Sequence, residues 1–205
     1  MTIRVLIADD QALVRSGLAA LLDLEPDIEV VAEVSTGAQA ISVIPSTRPH
    51  VCLMDVQMPD LNGIEATQSI TCDHPGVAVI MVTTFGRTGY LKDALAAGAR
   101  GFIVKDTPAS QLAETIRAVH RGIRVVDPEL AASSLAEGSN PLTDREQDAL
   151  RCALTGDTVA GIAARLHVSA GSARNLLSQG IQKTGAANRV QAARIASERG
   201  WIPPL

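Results

Sequence analysis

Apolar positions follow two rhythms along this chain. Through residue 122, short runs rich in β-branched residues alternate with longer stretches in which apolar residues recur every three or four positions. The short runs are IRVLIA (3–8), IEVVAEV (28–34), VCLM (51–54), VAVIMV (77–82) and GFIV (101–104). Runs of this length and composition predict buried parallel strands. Between them lie ALVRSGLAALLD (12–23), GAQAISVI (37–44), GIEATQSI (63–70), GYLKDALAAG (89–98) and PASQLAETIRAVHRG (108–122), all of helical period. Thr107 and Pro108 read as the N-cap and first helical position of the last. Five strand-helix units predict an α/β fold, a doubly wound five-stranded parallel sheet. Its functional crevice should lie beyond the carboxyl ends of the strands.

Residues 123–140 lose the rhythm. AASSLAEGSNP is small and polar, and it reads as a linker with room for one helical turn. From Pro141 the pattern is wholly helical. LTDREQDALRCALTG carries Thr143 and Glu146 at capping-box spacing. TVAGIAARL (158–166) is a short helix, HVS turns, and Ser169 is placed to cap AGSARNLLSQGIQKTG (170–185). NRVQAARIASERG (188–200) closes the set. Two short helices across a tight turn, the second with exposed polar residues, describe a helix-turn-helix. The expected domains are therefore 1–122, a linker over 123–140, and a small all-α domain over 141–205. On the second helix the inward set is Ala173, Leu176, Leu177, Gly180, Ile181 and Thr184. Gly180 and Thr184 are poor core formers. Gly180 is expected to leave space and to weaken the helix by about 1 kcal/mol relative to alanine.

Composition sharpens this picture. The chain is 46% hydrophobic but only 2% aromatic, so aliphatic side chains and alanine must fill both cores. Cys52, Cys72 and Cys152 are odd in number and far apart, which favours free thiols in a reducing compartment. His50, His74, His120 and His167 show no metal-ligand spacing. No apolar run approaches the roughly 20 residues needed to span a bilayer, and MTIRVLIADD lacks a secretory signal pattern. A cytoplasmic protein without membrane insertion is expected. The net charge of −4 is unevenly spread. Residues 1–139 hold 10 Lys+Arg and 17 Asp+Glu, a net −7, whereas residues 140–205 hold 8 and 5, a net +3. An acidic front and a basic rear suggest two modules, the rear one directed at nucleic acid.

The chemistry concentrates at strand ends. Asp9 and Asp10 follow the first strand, Asp55 follows the third, Thr83 ends the fourth and Lys105 follows the fifth. Each alone is an ordinary loop or capping residue. In a doubly wound sheet the first and third strands are central neighbours, so all five meet at one crevice. Three carboxylates there suit a hard divalent cation, magnesium above all, which takes carboxylate, carbonyl, water and phosphate oxygens. A carboxylate beside such an ion can attack phosphorus, giving an aspartyl phosphate. Asp55 is placed for that attack, with Lys105 and Thr83 placed for the phosphoryl oxygens.

These stretches resemble a known family. IADDQ, LMDVQMPDLNGIEA, MVTTF and AGARGFIVKD are similar to the motifs of the response-regulator receiver domain. PLTDRE, IAARLHVS, KTGAANRVQAA and ERGW are similar to the DNA-binding domain of NarL/FixJ (LuxR-type) regulators. The resemblance implies that Asp55 is the phospho-acceptor and that Asp9, Asp10 and Asp55, with the Gln57 backbone carbonyl, hold Mg2+. It implies that Thr83 and Phe102 form a switch pair, Phe102 standing where many relatives have tyrosine and offering a ring that can swing inward. In the rear domain it implies that Arg174, Asn175 and Ser178 face DNA, with Lys183 and Arg189 on phosphates. Ser172-Ala173-Arg174 stands where the family usually has Thr-Val-Lys, and the basic residues common at Ala160 and Ser178 are missing. The function implied is a two-component response regulator and not an enzyme acting on a small molecule. A sensor histidine kinase phosphorylates Asp55, the chain forms a homodimer, and the dimer binds double-stranded promoter DNA. Two other readings use the same residues: a phosphorylation-independent regulator, or a receiver serving as an interaction or phosphate-sink module behind a degraded rear domain.

Overall fold

The alternating half of the chain folds, in the computed structural model, into one parallel sheet. Its strands are β1 (Ile3–Ala8), β2 (Ile28–Val34), β3 (Val51–Asp55), β4 (Ala78–Thr83), β5 (Gly101–Val104) and β6 (Val125–Val126), in the order β2-β1-β3-β4-β5-β6. The structure describes residues 2–84, 88–137 and 140–202. Helices α1 (Ala12–Leu22), α2 (Gly37–Thr47), α3 (Gly63–Asp73), α4 (Thr88–Ala96) and α5 (Ala109–His120) connect the strands. Burial marks the centre of the sheet: every residue of β3 and β4 is buried, as a strand covered on both faces requires. Val5, Ile7, Leu53, Ile80 and Val82 pack one face of the sheet against Leu112, Ile116 and Val119 of α5.

Three details depart from the sequence expectation. The segment read as a linker carries β6, which pairs with β5 through Gly101↔Val125 and Phe102↔Val126, and helix α6 (Pro128–Glu137). Two valines are too short a run to announce a strand, and the open edge of β5 supplies the pairing that makes them one. Residues 138–139 of that segment lie outside the described residues, as does Phe85 of the MVTTF stretch. At α5 the N-cap position is Pro108, with no side-chain cap, so Thr107 does not serve as one.

The rear of the chain is a separate helical unit of α7 (Asp144–Leu154), α8 (Val159–Arg165), α9 (Ala170–Thr184) and α10 (Arg189–Glu198). Each helix starts on a hydrogen-bonding cap: the Thr143–Glu146 capping box, Thr158, Ser169 and Asn188. Helix α9 stops at Gly185 in the left-handed conformation, where glycine has no steric penalty. The core gathers Leu142, Leu150, Ile162, Leu177, Trp201 and Ile202 around a floor of alanines.

The expectation of space over Gly180 is overturned. A Cβ there would stand 3.1–3.3 Å from Cδ1, Cγ and Cδ2 of Leu150, a fully buried side chain on α7. Leucine on α7 fills the room that a larger residue on α9 would take. Thr184 is likewise accommodated, because its hydroxyl donates to the Gly180 carbonyl at 2.8 Å and leaves only its methyl to pack. Gly180→Ala should therefore lose the roughly 1 kcal/mol that helix propensity offers to compression against Leu150, and end near neutral or about 1 kcal/mol less stable. Gly180→Leu should lose about 2–3 kcal/mol, and Leu150→Ala in the same chain should recover much of it. Trp201, the single tryptophan and buried, lets fluorescence-detected melts report this unit. A stabilised Gly180→Leu variant would refute the tight contact.

Candidate functional site

The carboxyl ends of β1, β3, β4 and β5 meet as their registers require. Ala8 pairs with Met54, Asp55 with Val82, and Thr83 with Val104. This brings Asp9, Asp55, Thr83 and Lys105 into one crevice. Lys105 Nζ donates to Asp9 Oδ2 at 2.7 Å and to Asp55 Oδ2 at 3.0 Å. Asp9 and Asp55 are buried and Asp10 stands exposed at the rim. One carboxylate oxygen from each of the three lies within 4.8 Å of the others, an all-oxygen donor set of the kind a hard divalent cation takes. Thr83 is buried, and its carbonyl accepts from the Lys105 amide at 2.7 Å. Phe102, expected to swing inward, is already fully buried, as fits a ring with no hydroxyl to hold it at the surface.

Electrostatics set the state of this pocket. The Asp55 carboxyl is pushed up to about 6, chiefly by burial and also by the Asp9 charge, against the downward pull of Lys105 and of a backbone hydrogen bond from Gln57. Burial works against the Lys105 ammonium too, but its bonds to Asp9 and Asp55 outweigh that and hold it above its ordinary value. At neutral pH the crevice therefore holds ionised Asp55 at a cost. The cost is fully present above about pH 6, where Asp55 is ionised folded and unfolded alike, and gone below the ordinary value of 3.8. Asp55→Asn should thus be the more stable chain at pH 7.5 without divalent cations, by about 1–2 kcal/mol, with roughly 3 as the ceiling. The advantage should shrink as pH falls from 6 toward 4. Paired urea melts across that range would check it, and a pH-independent difference would sink the idea.

The loops around the pocket are fixed by residues that the sequence motifs did not single out. Gln11 donates its amide to Asp9 Oδ1 at 2.9 Å. Arg15, on α1, donates from Nη1 to the Asp9 carbonyl at 2.6 Å and reaches Glu33 of β2 with Nε at 3.8 Å. Asn62 caps α3 by accepting from the amides of Ile64 and Glu65, both at 3.0 Å. Immediately after it, Gly63 packs on the backbone of Asp55, and a Cβ there would overlap the Asp55 carbonyl oxygen. The glycine after an Asn cap was the available signal, but only the approach of α3 to β3 gives it meaning.

In the helical unit, the outward face of α9 carries Arg174, Asn175 and Ser178, all exposed. Most cations of this unit are taken. Arg151 pairs with Asp148, Arg165 with Asp157 and Arg194 with Glu198. Arg145 donates to the Leu166 carbonyl, and Arg199 lies over Trp201. Arg174 and Arg189 have no carboxylate partner among the described residues. Lys183, exposed on α9, meets Glu146 Oε2 with its Nζ at 2.7 Å. Glu146 is buried and already accepts from the Thr143 amide in the capping box. Burial opposes its charge, yet Lys183 and Thr143 hold its carboxyl below the usual value. A buried carboxylate needs such a partner, so Lys183 braces α9 against α7.

Both halves match known families. Residues 5–117 match the response regulator receiver domain, and residues 140–196 match the luxR family of bacterial regulatory proteins. The chain belongs to the response regulators that join a receiver to a LuxR-type DNA-binding domain. Among its relatives, the transcriptional regulatory protein DesR of Bacillus subtilis is 38% identical over 98% of this chain and 99% of its own. YvfU of the same organism, an uncharacterized transcriptional regulatory protein, is 42% identical over 98% of this chain and its whole length. DevR/DosR of Mycobacterium tuberculosis, a DNA-binding transcriptional activator, is 33% identical over 96% and 94%. Of solved structures, the response regulator ChrA of a heme-sensing two-component system is 32% identical with a TM-score of 0.60, over 98% of this chain and 99% of that one. RcsB, solved in complex with DNA, shares the fold at 24% identity and a TM-score of 0.67, over 97% and 99%. Among the described residues, no helix is long and apolar enough to cross a membrane.

Proposed function

We propose that a sensor histidine kinase phosphorylates this regulator on Asp55 in the cytoplasm, and that phosphorylation drives homodimers onto double-stranded promoter DNA. The receiver is built on residues 1–122, with the β6 strand completing its edge, and the DNA-binding domain on 141–205. The observation that carries the reading is the Lys105 bridge between buried Asp9 and Asp55 beside Asp10. The Asp55 carboxylate attacks phosphorus, a P–O bond forms, and the P–N bond to the kinase histidine breaks. Lys105 Nζ then exchanges its bond to Asp55 for a phosphoryl oxygen, and the Thr83 hydroxyl bonds another. Asp9, Asp10, Asp55 and the Gln57 carbonyl would hold Mg2+, which supplies neutralisation of charge on the transferring group. The changed contacts of Lys105 and Thr83, with Phe102 behind them, bias the receiver between two states, one of which dimerises. Two recognition helices then reach two half-sites, with Arg174, Asn175 and Ser178 toward bases and Lys183 and Arg189 toward phosphates.

Incubation with acetyl phosphate and Mg2+ should add one phosphoryl group to the intact mass, and Asp55→Ala should abolish it. Sedimentation with beryllofluoride should show dimers where the untreated chain is monomeric. Equal labelling of Asp55→Ala would refute the acceptor. A labelled chain that stays monomeric and binds promoter DNA no more tightly would favour a phosphate sink.

A further inference from the structure

The described residues of the helical unit hold seven side-chain amides, and they fall into two groups. Asn140 donates to the Trp201 carbonyl and accepts from the Leu142 amide. Gln147 donates to the Leu142 carbonyl, Asn188 caps α10, and Gln191 accepts from the Ala187 amide. The other three, Asn175, Gln179 and Gln182, have no protein partner among the described residues, and all three are exposed on α9. With Arg174 and Ser178 they form one face at helical spacing. That face carries a single charge and no carboxylate.

A face of this kind selects bases by hydrogen bonding. Asn and Gln match the N6 donor and N7 acceptor of adenine, Arg matches O6 and N7 of guanine, and the usual partner of cytosine N4 is a carboxylate, which this face lacks. From Arg174 to Gln182 the helix advances about 12 Å at 1.5 Å per residue, which is roughly three to four base pairs at 3.4 Å each. Arg174 and Asn175 lie in the first half of α9, and Gln179 follows Asn175 one turn on along the same exposed face, which places the three for base edges. We propose that each recognition helix reads a short adenine-rich half-site containing one guanine, with Arg174 on the guanine and Asn175 and Gln179 on adenines. This inference rests on the DNA-binding reading above. It adds Gln179 as a specificity-determining residue.

Selection from a random duplex library by the full chain, activated with beryllofluoride and Mg2+, tests it. The enriched half-site should hold one guanine and at least two adenines on the read strand. Anisotropy titrations on that site and its single-base variants then assign the contacts. Asn175→Ala and Gln179→Ala should each weaken binding to the selected site by roughly 5- to 100-fold. Each should also lose discrimination at one adenine, and Arg174→Ala should lose it at the guanine. All three side chains are exposed, so Trp201-detected melts should not move. An enriched half-site without adenines overturns the proposal. So does a loss of affinity in Asn175→Ala and Gln179→Ala that is equal on every base variant, the mark of phosphate contacts. Failure to bind any duplex overturns the DNA-binding reading itself, and this inference with it.

Discussion

Gly63→Ala should collapse the Asp55 pocket, at a cost of about 3–5 kcal/mol to the receiver. Overpacking a core position typically costs about 1–3 kcal/mol because neighbouring side chains can shift. Here the obstacle is the carbonyl oxygen of Asp55 itself, with the Met54 side chain close behind at 3.1 Å. A carbonyl within β3 cannot move without moving the ladder it belongs to. Relief must come from displacing α3, which would break the bond from the Gly63 amide to the Val56 carbonyl at 3.1 Å. The aspartate would then lose its place relative to Lys105. Urea melts followed by far-UV circular dichroism should show the destabilisation, and acetyl phosphate labelling of whatever fraction folds should fall sharply. Gly17→Ala provides the contrast. Gly17 sits exposed within α1 with nothing within 4 Å of a built Cβ, so the same change should stabilise by up to about 1 kcal/mol. Equal responses at the two glycines would contradict the close contact.

Lys105→Met should cost about 3–5 kcal/mol at pH 7.5 without divalent cations, the usual penalty for removing one partner of a buried ion pair. Methionine keeps most of the stem but removes the charge that lies 2.7 Å from Asp9 and 3.0 Å from Asp55. Two buried carboxylates would then face each other with no cation between them. The loss should shrink on acidification, as one carboxyl takes up a proton, and Mg2+ should recover part of it by supplying charge to the same oxygens. Melting temperatures of parent and variant across pH 5–8, with and without Mg2+, would check this. A variant that melts with the parent at pH 7.5 would show that the lysine contributes nothing to the resting pocket. Phosphorylation should also suffer, because Lys105 is the amine available to the phosphoryl oxygens.

The acidic pocket was legible in the sequence because parallel strands place their carboxyl ends together. Asp9, Asp55, Thr83 and Lys105 each sit at the end of an apolar run, and the fold class alone brings such ends to one edge. The two caps that begin α7 and α9 were legible for a similar reason: a cap acts within four residues of its own chain. The ion pair of Lys183 was not. Its partner Glu146 lies 37 residues away, and nothing near Lys183 in the chain points to it. The Pro108 cap was missed because a proline preceded by threonine fits either of two adjacent registers.

By itself, the sequence determined strands β1 to β5 and every helix but α6, where the charged strand ends meet, and which face of α9 turns outward. These follow from periodicity, a property of neighbours along the chain. The tertiary structure decided what distance in space controls. It made a sixth strand of Val125–Val126 by offering the edge of β5. It gave Gly63 its role by setting α3 on the Asp55 carbonyl, and Gly180 its role by setting Leu150 against α9. In each case the deciding contact joins two different elements of the fold. Whether a glycine marks a gap or a close approach depends on what the fold brings to within a van der Waals radius of it.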